Sequence, residues 1–361
     1  MKFIFCFLLI TVFSNVALFS QCPNCPCPSF GVCLNDGHTK ATAYQIWTLA
    51  HLLELRDSVN NDLFKLEQFQ FHFGKHFRLM QDIATVEEVI AWRFRGAHFH
   101  GGGHKITVAL NYNPQTFSDG ALFMNITDGG SIDSLTVDGY INGGFAGIVG
   151  TVGGAAWNNF YPASTVTNCT SNATIVGGSG IAFSNSGIIS NCVFNGSITG
   201  VNIIGGIVGR NDMQGQVINC INNGKIVATN SGSNTDFMGQ LTAYNGVGGI
   251  VGAADNGNSV ISHNINIGIV EGQGFVGGIL GGGGNSSTPS NIMNNANYGF
   301  VKGINGVGGI FGSNVFNTNV SVTNNSNFGV VVGNSETGCI VGRNNGGTIS
   351  NNHYDKQMCG Q

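Results

Sequence analysis

Charged side chains are scarce in this chain. Aspartate, glutamate, lysine and arginine make up 9% of the 361 residues, against about 25% in an ordinary soluble domain. The net charge is −4, and the only cations from residue 140 onward are Arg210, Lys225, Lys302, Arg343 and Lys356. Binding to nucleic acid requires a basic patch or stripe. We therefore expect no nucleic-acid partner.

Long apolar runs are missing except at the N-terminus. Lys2 and the apolar stretch 3–13 predict a secretory signal peptide over residues 1–20, with acylation of Cys22 as an alternative anchor. No later stretch approaches the ~20 continuous apolar residues that span a membrane. The sequence therefore predicts a secreted or cell-surface protein without a membrane span.

Complete catalytic motifs are also missing. The chain contains neither the H-E-x-x-H pattern of zinc peptidases nor the G-x-S-x-G turn of α/β-hydrolases. The few carboxylates of residues 140–361 are scattered, whereas a glycoside-cleaving enzyme requires a pair of them. These absences predict that the chain is not an enzyme and that it holds no cofactor and no metal.

The cysteines are concentrated in one short segment. Four of the ten lie in CPNCPCPSFGVC, within a Cys- and Pro-rich leader at residues 21–40. In a secreted chain this pattern favours disulfides, with a zinc knot as the alternative. Loss of Cys6 with the signal peptide leaves nine cysteines, so at least one would be free or intermolecular.

Glycine, in contrast, is abundant and ordered, with 57 residues. A column of small residues recurs every 23 to 44 positions at Gly139, Ala173, Gly196, Gly224, Gly268, Gly299 and Gly329 and ends at Lys356. An aliphatic residue or methionine follows two positions later, at Ile141, Ile175, Ile198, Ile226, Val270, Val301, Val331 and Met358. Repeats of this length indicate units that bury their apolar faces only against their neighbours.

The repeats predict an all-β fold, a right-handed parallel β-helix of about eight or more coils. Each repeat of roughly 30 residues contains three short segments with strand periodicity, separated by Gly and Asn turns. Parallel strands of successive coils then pair about 4.8 Å apart, and the crossover rule favours the right hand. An amphipathic segment at 44–60, with Leu49, Leu52, Leu53 and Leu55 as its apolar face, is expected to form a short capping helix. Residues 41–139 would form the cap and first coils, and residues 140–361 the repeats.

A second column predicts which side chains point inward. Four positions before the glycine column the chain has Leu135, Cys169, Cys192, Cys220, Asn264, Asn295, Asn325 and Asn352. Leucine and cysteine are residue types that are usually buried, so the whole column is expected to lie in the interior. Stacked asparagines can satisfy their buried amides from coil to coil, and the three cysteines are expected to be free thiols.

The repeats resemble a known family. Segments such as GVGGIVG at 246–252, followed by the x-N-C-x-N-x-G-x-I-x-G pattern, resemble the GLUG repeat of bacterial surface proteins of the Bacteroidetes type. The lead-in AYQIWTLAHLLELRDSVNN at 43–61 and the ending HYDKQMCG at 353–360 extend this resemblance. It implies a β-helix with adhesin-like or structural roles, or a repeat segment of a secreted peptidase.

Aromatic side chains in loops are the candidate ligand contacts. Trp157 and Tyr161 lie between two repeats, and Tyr244 lies in an insertion at 229–245. Inserted loops on solenoids often line a binding surface, although such loops can simply pack on the coil. The sequence therefore predicts a contact surface for glycans or proteins of a host or neighbouring cell.

Two further clusters are weaker candidates for a cation. His98, His100 and His104, with His72 and His76 upstream, could converge on a metal or form a polar turn. Asp212 and Asp255 occupy the same position in successive repeats and could share a cation.

Together these observations favour a secreted, non-catalytic β-helix that acts in adhesion or structural display. The alternatives are a β-helix that binds or cleaves polysaccharide, and the repeat segment of a larger secreted peptidase.

Overall fold

The chain forms a parallel β-helix with a helix at its N-terminal end. The computed structural model describes residues 35–61, 71–111, 120–153, 162–201, 203–230, 246–255, 257–283, 290–314 and 320–359. The strands fall into four sheets, and successive strands within each sheet pair in parallel. The predicted fold class is thereby confirmed. The predicted signal peptide at 1–20 and most of the leader at 21–40 lie outside the described residues.

The first sheet runs along the whole described rod and has eleven strands. They are Tyr44–Ile46, His76–Leu79, His98–His100, Ser131–Asp133, Thr165–Thr167, Ile188–Ser190, Gln216–Ile218, Val260–Ser262, Ser290–Met293, Val320–Thr323 and Thr348–Ser350. Its inward column is apolar, and Phe77, Phe99, Ile132 and Val166 are fully buried.

The second sheet has sixteen strands, most of them very short. They are Ile83–Val86, Lys105–Asn111, Thr136–Asn142, Thr170–Ser171, Thr174–Val176, Val193–Phe194, Ser197–Val201, Ile221–Asn222, Lys225–Asn230, Ile265–Asn266, Ile269–Glu271, Ala296–Asn297, Val301–Lys302, Ser326–Asn327, Val331–Val332 and His353–Tyr354. From residue 170 onward most coils contribute two strands to this sheet, because a small residue of the glycine column interrupts the extended segment.

The third and fourth sheets contain the Gly-rich segments. The third sheet consists of Phe94–Arg95, Phe123–Thr127, Val149–Val152, Ala182–Asn185, Val208–Asp212, Val251–Asp255, Leu280–Gly283, Phe311–Asn314 and Val341–Asn344. The fourth consists of Ile204–Gly205, Val247–Gly248, Gly274–Gly277, Asn305–Gly308 and Ser335–Gly338. The sequence predicts three sheet faces, and this fourth sheet was missed because one segment such as GVGGIVG supplies strands to two sheets.

The corner between these two sheets requires glycine. A Cβ atom on Gly249 would collide with the carbonyl oxygen of Gly278 in the next coil and with the buried amide of Asn266. The backbone of one coil therefore packs directly on the next, which explains why the repeat contains the pair of glycines.

The N-terminal helix differs in detail from its prediction. It spans Leu49–Asn61, and it begins where the side chain of Thr48 accepts a hydrogen bond from the backbone N–H of His51 (3.2 Å). Leu52, Leu55 and Val59 are fully buried, whereas Leu49 is 37% exposed. The predicted start at residue 44 was wrong because Tyr44–Ile46 is the first strand of the first sheet.

The turn between the first and second sheets contains a column of left-handed residues. Ser134, Asn168, Asn191, Asn219, His263, Asn294, Asn324 and Asn351 all have φ between 54° and 59°. Asparagine tolerates this conformation better than other residues with a Cβ. The turn directs the following residue inward, and the side chains of Leu135, Cys169, Cys192, Cys220, Asn264, Asn295 and Asn325 are all at most 2% exposed.

The cysteines and asparagines of this inward column bond along the rod. Cys169, Cys192 and Cys220 are free, buried thiols, and each donates to the backbone carbonyl two residues earlier at 3.3–3.4 Å. The asparagine amides donate to the next asparagine in line at 2.9–3.1 Å, in the order Asn264, Asn295, Asn325 and Asn352. Burial of both residue types is possible because each polar group has a partner in its own or a neighbouring coil.

A second buried asparagine ladder lies in the second sheet. Asn222, Asn266, Asn297 and Asn327 are fully buried, and the side-chain amide of each donates to the next at 2.7 Å. At the C-terminal end, a disulfide between Cys339 and Cys359 ties the short 3-10 helix Lys356–Met358 to the last coil.

The buried ladder predicts a large cost for one substitution. Asn297→Ala removes the side-chain acceptor of Asn266, the donor to Asn327 and the two bonds to the backbone of Gly299. Buried donors and acceptors of these neighbours then lose a partner. We expect the free energy of unfolding to fall by about 2–4 kcal/mol, since each unsatisfied buried polar group costs about 1–3 kcal/mol. The midpoint of urea unfolding, followed by circular dichroism, measures the effect.

Asn195→Ala is the matched control. Asn195 belongs to an exposed ladder and donates to Asn172 at 2.9 Å, so its loss should change the stability by less than about 0.5 kcal/mol. Equal effects of the two substitutions would contradict the importance of the buried ladder.

Candidate functional site

A cluster of histidines lies on the outer surface of the first sheet, near the helix. Strand alternation places Phe77 and Phe99 inward and the residues on either side of them outward. Parallel register then brings His76, His98 and Ser131 into one outward column. Arg78, His100 and Asp133 form the adjacent column. We call these six residues the histidine cluster.

Hydrogen bonds connect the cluster in two separate units. Asp133 Oδ2 lies 2.5 Å from His100 Nδ1, and His100 Nε2 lies 2.9 Å from His76 Nδ1. Separately, Ser131 Oγ lies 2.8 Å from His98 Nδ1. The rings of His76 and His98 stack with centroids 4.3 Å apart, so the two units are in contact.

The environment favours neutral imidazoles and an ionised carboxylate. Burial, and then the nearby His98, His100 and Lys40, lower the pKa of His76 to about 4. Burial and His100 also lower the pKa of His98. For Asp133, burial opposes ionisation, but the hydrogen bond from His100 and the charges of His100 and Lys40 outweigh it and lower the pKa. At neutral pH the rings of His76 and His98 are thus uncharged bases close to the ionised carboxylate of Asp133.

A cleft of about 500 Å³ opens next to the cluster. It is lined by Lys40, Arg78, Leu79, Met80, His100, Gly102, Gly103, His104, Asp133 and Ser134. Arg78 donates to the carbonyl of Lys40 at 2.7 Å, and Lys40 Nζ lies 3.4 Å from Asp133 Oδ1. Two basic side chains and one carboxylate therefore surround an open space that a small anionic group could enter.

The metal hypothesis for the histidines is not supported by this geometry. Of the five histidines, the structure brings together only His76, His98 and His100. His100 bonds to His76 and Asp133, whereas His98 bonds to Ser131 and stacks on His76. His104 lies instead 3.6 Å from Asp82, and His72 is buried with its ring parallel to that of Phe94. Within the described ranges, no group of three or more His, Cys, Asp or Glu side chains is arranged to hold a metal ion.

The other candidate residues from the sequence are three aromatic residues in loops and one pair of aspartates. Trp157, Tyr161 and Tyr244 lie outside the described residues. Asp212 and Asp255 are in register on adjacent strands, as the sequence suggests. Asp212 is nevertheless already bonded to Arg210 at 2.8 Å and to Ser184 at 3.3 Å.

Sequence reasoning missed an exposed apolar surface on the second sheet. Ile267, Tyr298 and Phe328 occupy equivalent positions in three successive coils and are 55%, 54% and 44% exposed. The rings of Tyr298 and Phe328 stack with centroids 5.2 Å apart. We call these three residues the apolar strip.

The same column is polar in the earlier coils. There it contains Asp138, Asn172, Asn195 and Asn223, whose side chains bond to one another at 2.6–2.9 Å. All these residues directly precede the glycine column. The switch from amides to large apolar residues was therefore visible in the sequence and could have located the surface.

No family model and no curated protein matches this chain. A crystal structure described as that of a "putative immunoglobulin A1 protease" from Bacteroides ovatus is similar, with a TM-score of 0.52 and 18% identity. The similarity covers 88% of this chain and 85% of that chain. At this identity the comparison supports the β-helical fold alone.

The comparison corrects one prediction. The chain was expected not to be an enzyme, but a protein with the same fold is described as a protease. The expectation was wrong because the absence of two local motifs and of a carboxylate pair excludes only the chemistries that use those groups. Catalytic groups on a β-helix can come from different coils, where no short pattern connects them.

None of the described helices is long and apolar enough to cross a membrane.

The lowered pKa of His76 predicts a loss of stability in acid. Between about pH 6.5, the ordinary value, and about pH 4, the unfolded chain binds a proton at His76 that the native state does not. Stability therefore falls as the pH is lowered through this window. We expect a smaller drop in Tm between pH 7 and pH 4.5 for His76→Gln than for the original chain. His353→Gln, at an exposed histidine of the last coil, serves as control, and equal drops in all three proteins would refute the assignment.

Proposed function

We propose that this chain is the β-helical repeat segment of a secreted peptidase and that its rod holds a protein partner against the apolar strip. The observation that carries the proposal is the exposure of Ile267, Tyr298 and Phe328 in line on one face. Contiguous apolar patches on soluble proteins mark interaction sites. The similarity to a structure described as a protease of immunoglobulin A1 supports the peptidase context.

The chemistry of the strip favours a protein partner. Tyrosine and phenylalanine are enriched at protein interfaces because they bury a large area with few rotatable bonds. Their rings stack on each other, so their conformation is largely fixed before binding. Exposed Ile269 and Val332 lie on nearby strands of the same sheet and widen the apolar surface.

Adhesion by glycan display is the second candidate. It is favoured by the outer amide ladder of Asn172, Asn195 and Asn223, which presents hydrogen-bonding groups at a regular spacing along the rod. Membership of the GLUG-repeat family, secretion and a surface location remain predictions from the sequence.

Binding of immunoglobulin A1 to the immobilised full chain tests the first candidate. We expect binding by the original chain and at least a tenfold weaker affinity for the double variant Tyr298→Ser, Phe328→Ser, since aromatic anchors at interfaces contribute about 2 kcal/mol or more. Biolayer interferometry provides the affinities.

Tyr140→Ser is the matched control. Tyr140 is 41% exposed on the same sheet but lies in an early coil, so its removal should leave binding unchanged. Failure of the original chain to bind, or equal affinity of the double variant, would refute the proposal. Binding of a glycan array that survives the double substitution would favour the second candidate.

A further inference from the structure

Ser131 and His98 are placed as a nucleophile and its base. Ser131 Oγ lies 2.8 Å from His98 Nδ1, and the two residues are adjacent in register on the outer surface of the first sheet. In the tautomer with its proton on Nε2, His98 accepts the hydroxyl proton of Ser131. This is the geometric requirement for activation of a serine hydroxyl.

The rest of the cluster holds the base in place. The ring of His76 stacks on that of His98 at 4.3 Å and 23°, and His76 is itself bonded to His100, which is bonded to Asp133. His100 is only 5% exposed, so the chain of bonds is anchored in the protein. The carboxylate of Asp133 also provides a negative charge close to the imidazolium that would form at His98.

We propose that Ser131 and His98 form an acyl-transfer site, independent of the apolar strip, that acts on esters with a negatively charged acyl part. In the first step the Oγ–H bond of Ser131 breaks and its proton passes to His98 Nδ1. The Oγ atom bonds to the ester carbonyl carbon, and the alcohol departs with the proton from His98. In the second step water attacks the acyl-serine while giving a proton to His98, which returns it to Ser131, and the carboxylic acid is released.

The neighbouring cleft provides the preference for an anion. Lys40 and Arg78 line it, and Asp133, which also lines it, lies two residues from Ser131 on the same outward face of one strand, about 7 Å along it. An acyl group bound to Ser131 can therefore place a carboxylate near the two cations.

Labelling of the full chain with a fluorophosphonate tests the nucleophile. Ser131 Oγ displaces fluoride from phosphorus, and peptide mass spectrometry locates the label. Ser190 and Ser321 serve as internal controls, because they lie on the same sheet and none of their partners in register is a histidine. We expect Ser131 to react at least about 100-fold faster than either, the usual contribution of a general base.

Two variants test the roles of the histidines. His98→Gln should slow labelling of Ser131 about 100-fold. His76→Ala should also slow it, whereas His76→Phe, which retains an aromatic ring for stacking, should largely restore the rate. Equal labelling of all three serines in the original chain would overturn the site, and this comparison does not depend on the folding of any variant.

The substrate class has its own test. Acylation by mono(4-nitrophenyl) succinate should be faster than acylation by 4-nitrophenyl acetate, and Arg78→Met should remove the difference. A faster reaction with the neutral ester would overturn the assigned substrate class.

Discussion

The in-register stacking of one coil on the next is the constraint on which the whole structure depends. Each coil is too small to bury its own apolar residues, and its backbone groups find their partners in the neighbouring coils. Equivalent residues are therefore placed in contact, as Ile175 and Ile198 are in the interior. The composition follows from this requirement. Glycine is needed where backbones touch, and isolated charges are rare because each would face its own copy in the next coil.

Stacking also determines which polar groups the interior can contain. A single buried asparagine would be costly, since it would leave donors and acceptors unpaired. In a column, the Oδ1 atom of one residue accepts from the amide of the previous one, as between Asn266 and Asn297. At the equivalent positions of the earlier coils, the thiol groups of the three cysteines donate hydrogen bonds to backbone carbonyls. The change from cysteine to asparagine along the rod therefore preserves burial although the chemistry changes.

The inward direction of side chains could be predicted for residue types that recur at fixed positions in the repeats. The roles of residues that depend on contacts with a neighbouring coil could not be predicted. The columns of Ile175 and Cys169 recur at fixed offsets and contain residue types that are usually buried, so their inward direction could be predicted. The fourth sheet could not be predicted, because a segment such as GVGGIVG has no alternation to show where the chain bends. The apolar strip was visible as a column, but the search for binding residues followed aromatic residues in inserted loops. It passed over Tyr298, which lies between two strands of a regular coil. The histidines were noticed as a run, yet their pairing with Ser131 and Asp133 required the register between coils.

The separation of these residues in the sequence explains why short motifs are poor guides to the chemistry of such a fold. His98 and Ser131 are in contact although 33 residues separate them, and 24 residues separate His76 from His100. In a solenoid the natural spacing of a site is the length of a coil, and that length varies with every loop. A pattern of fixed spacing cannot describe a site of this kind. Chemical groups on a β-helix are therefore better sought along its outward columns, where a change of residue type marks a position that stacking alone does not explain. Both the histidine cluster and the apolar strip meet that criterion.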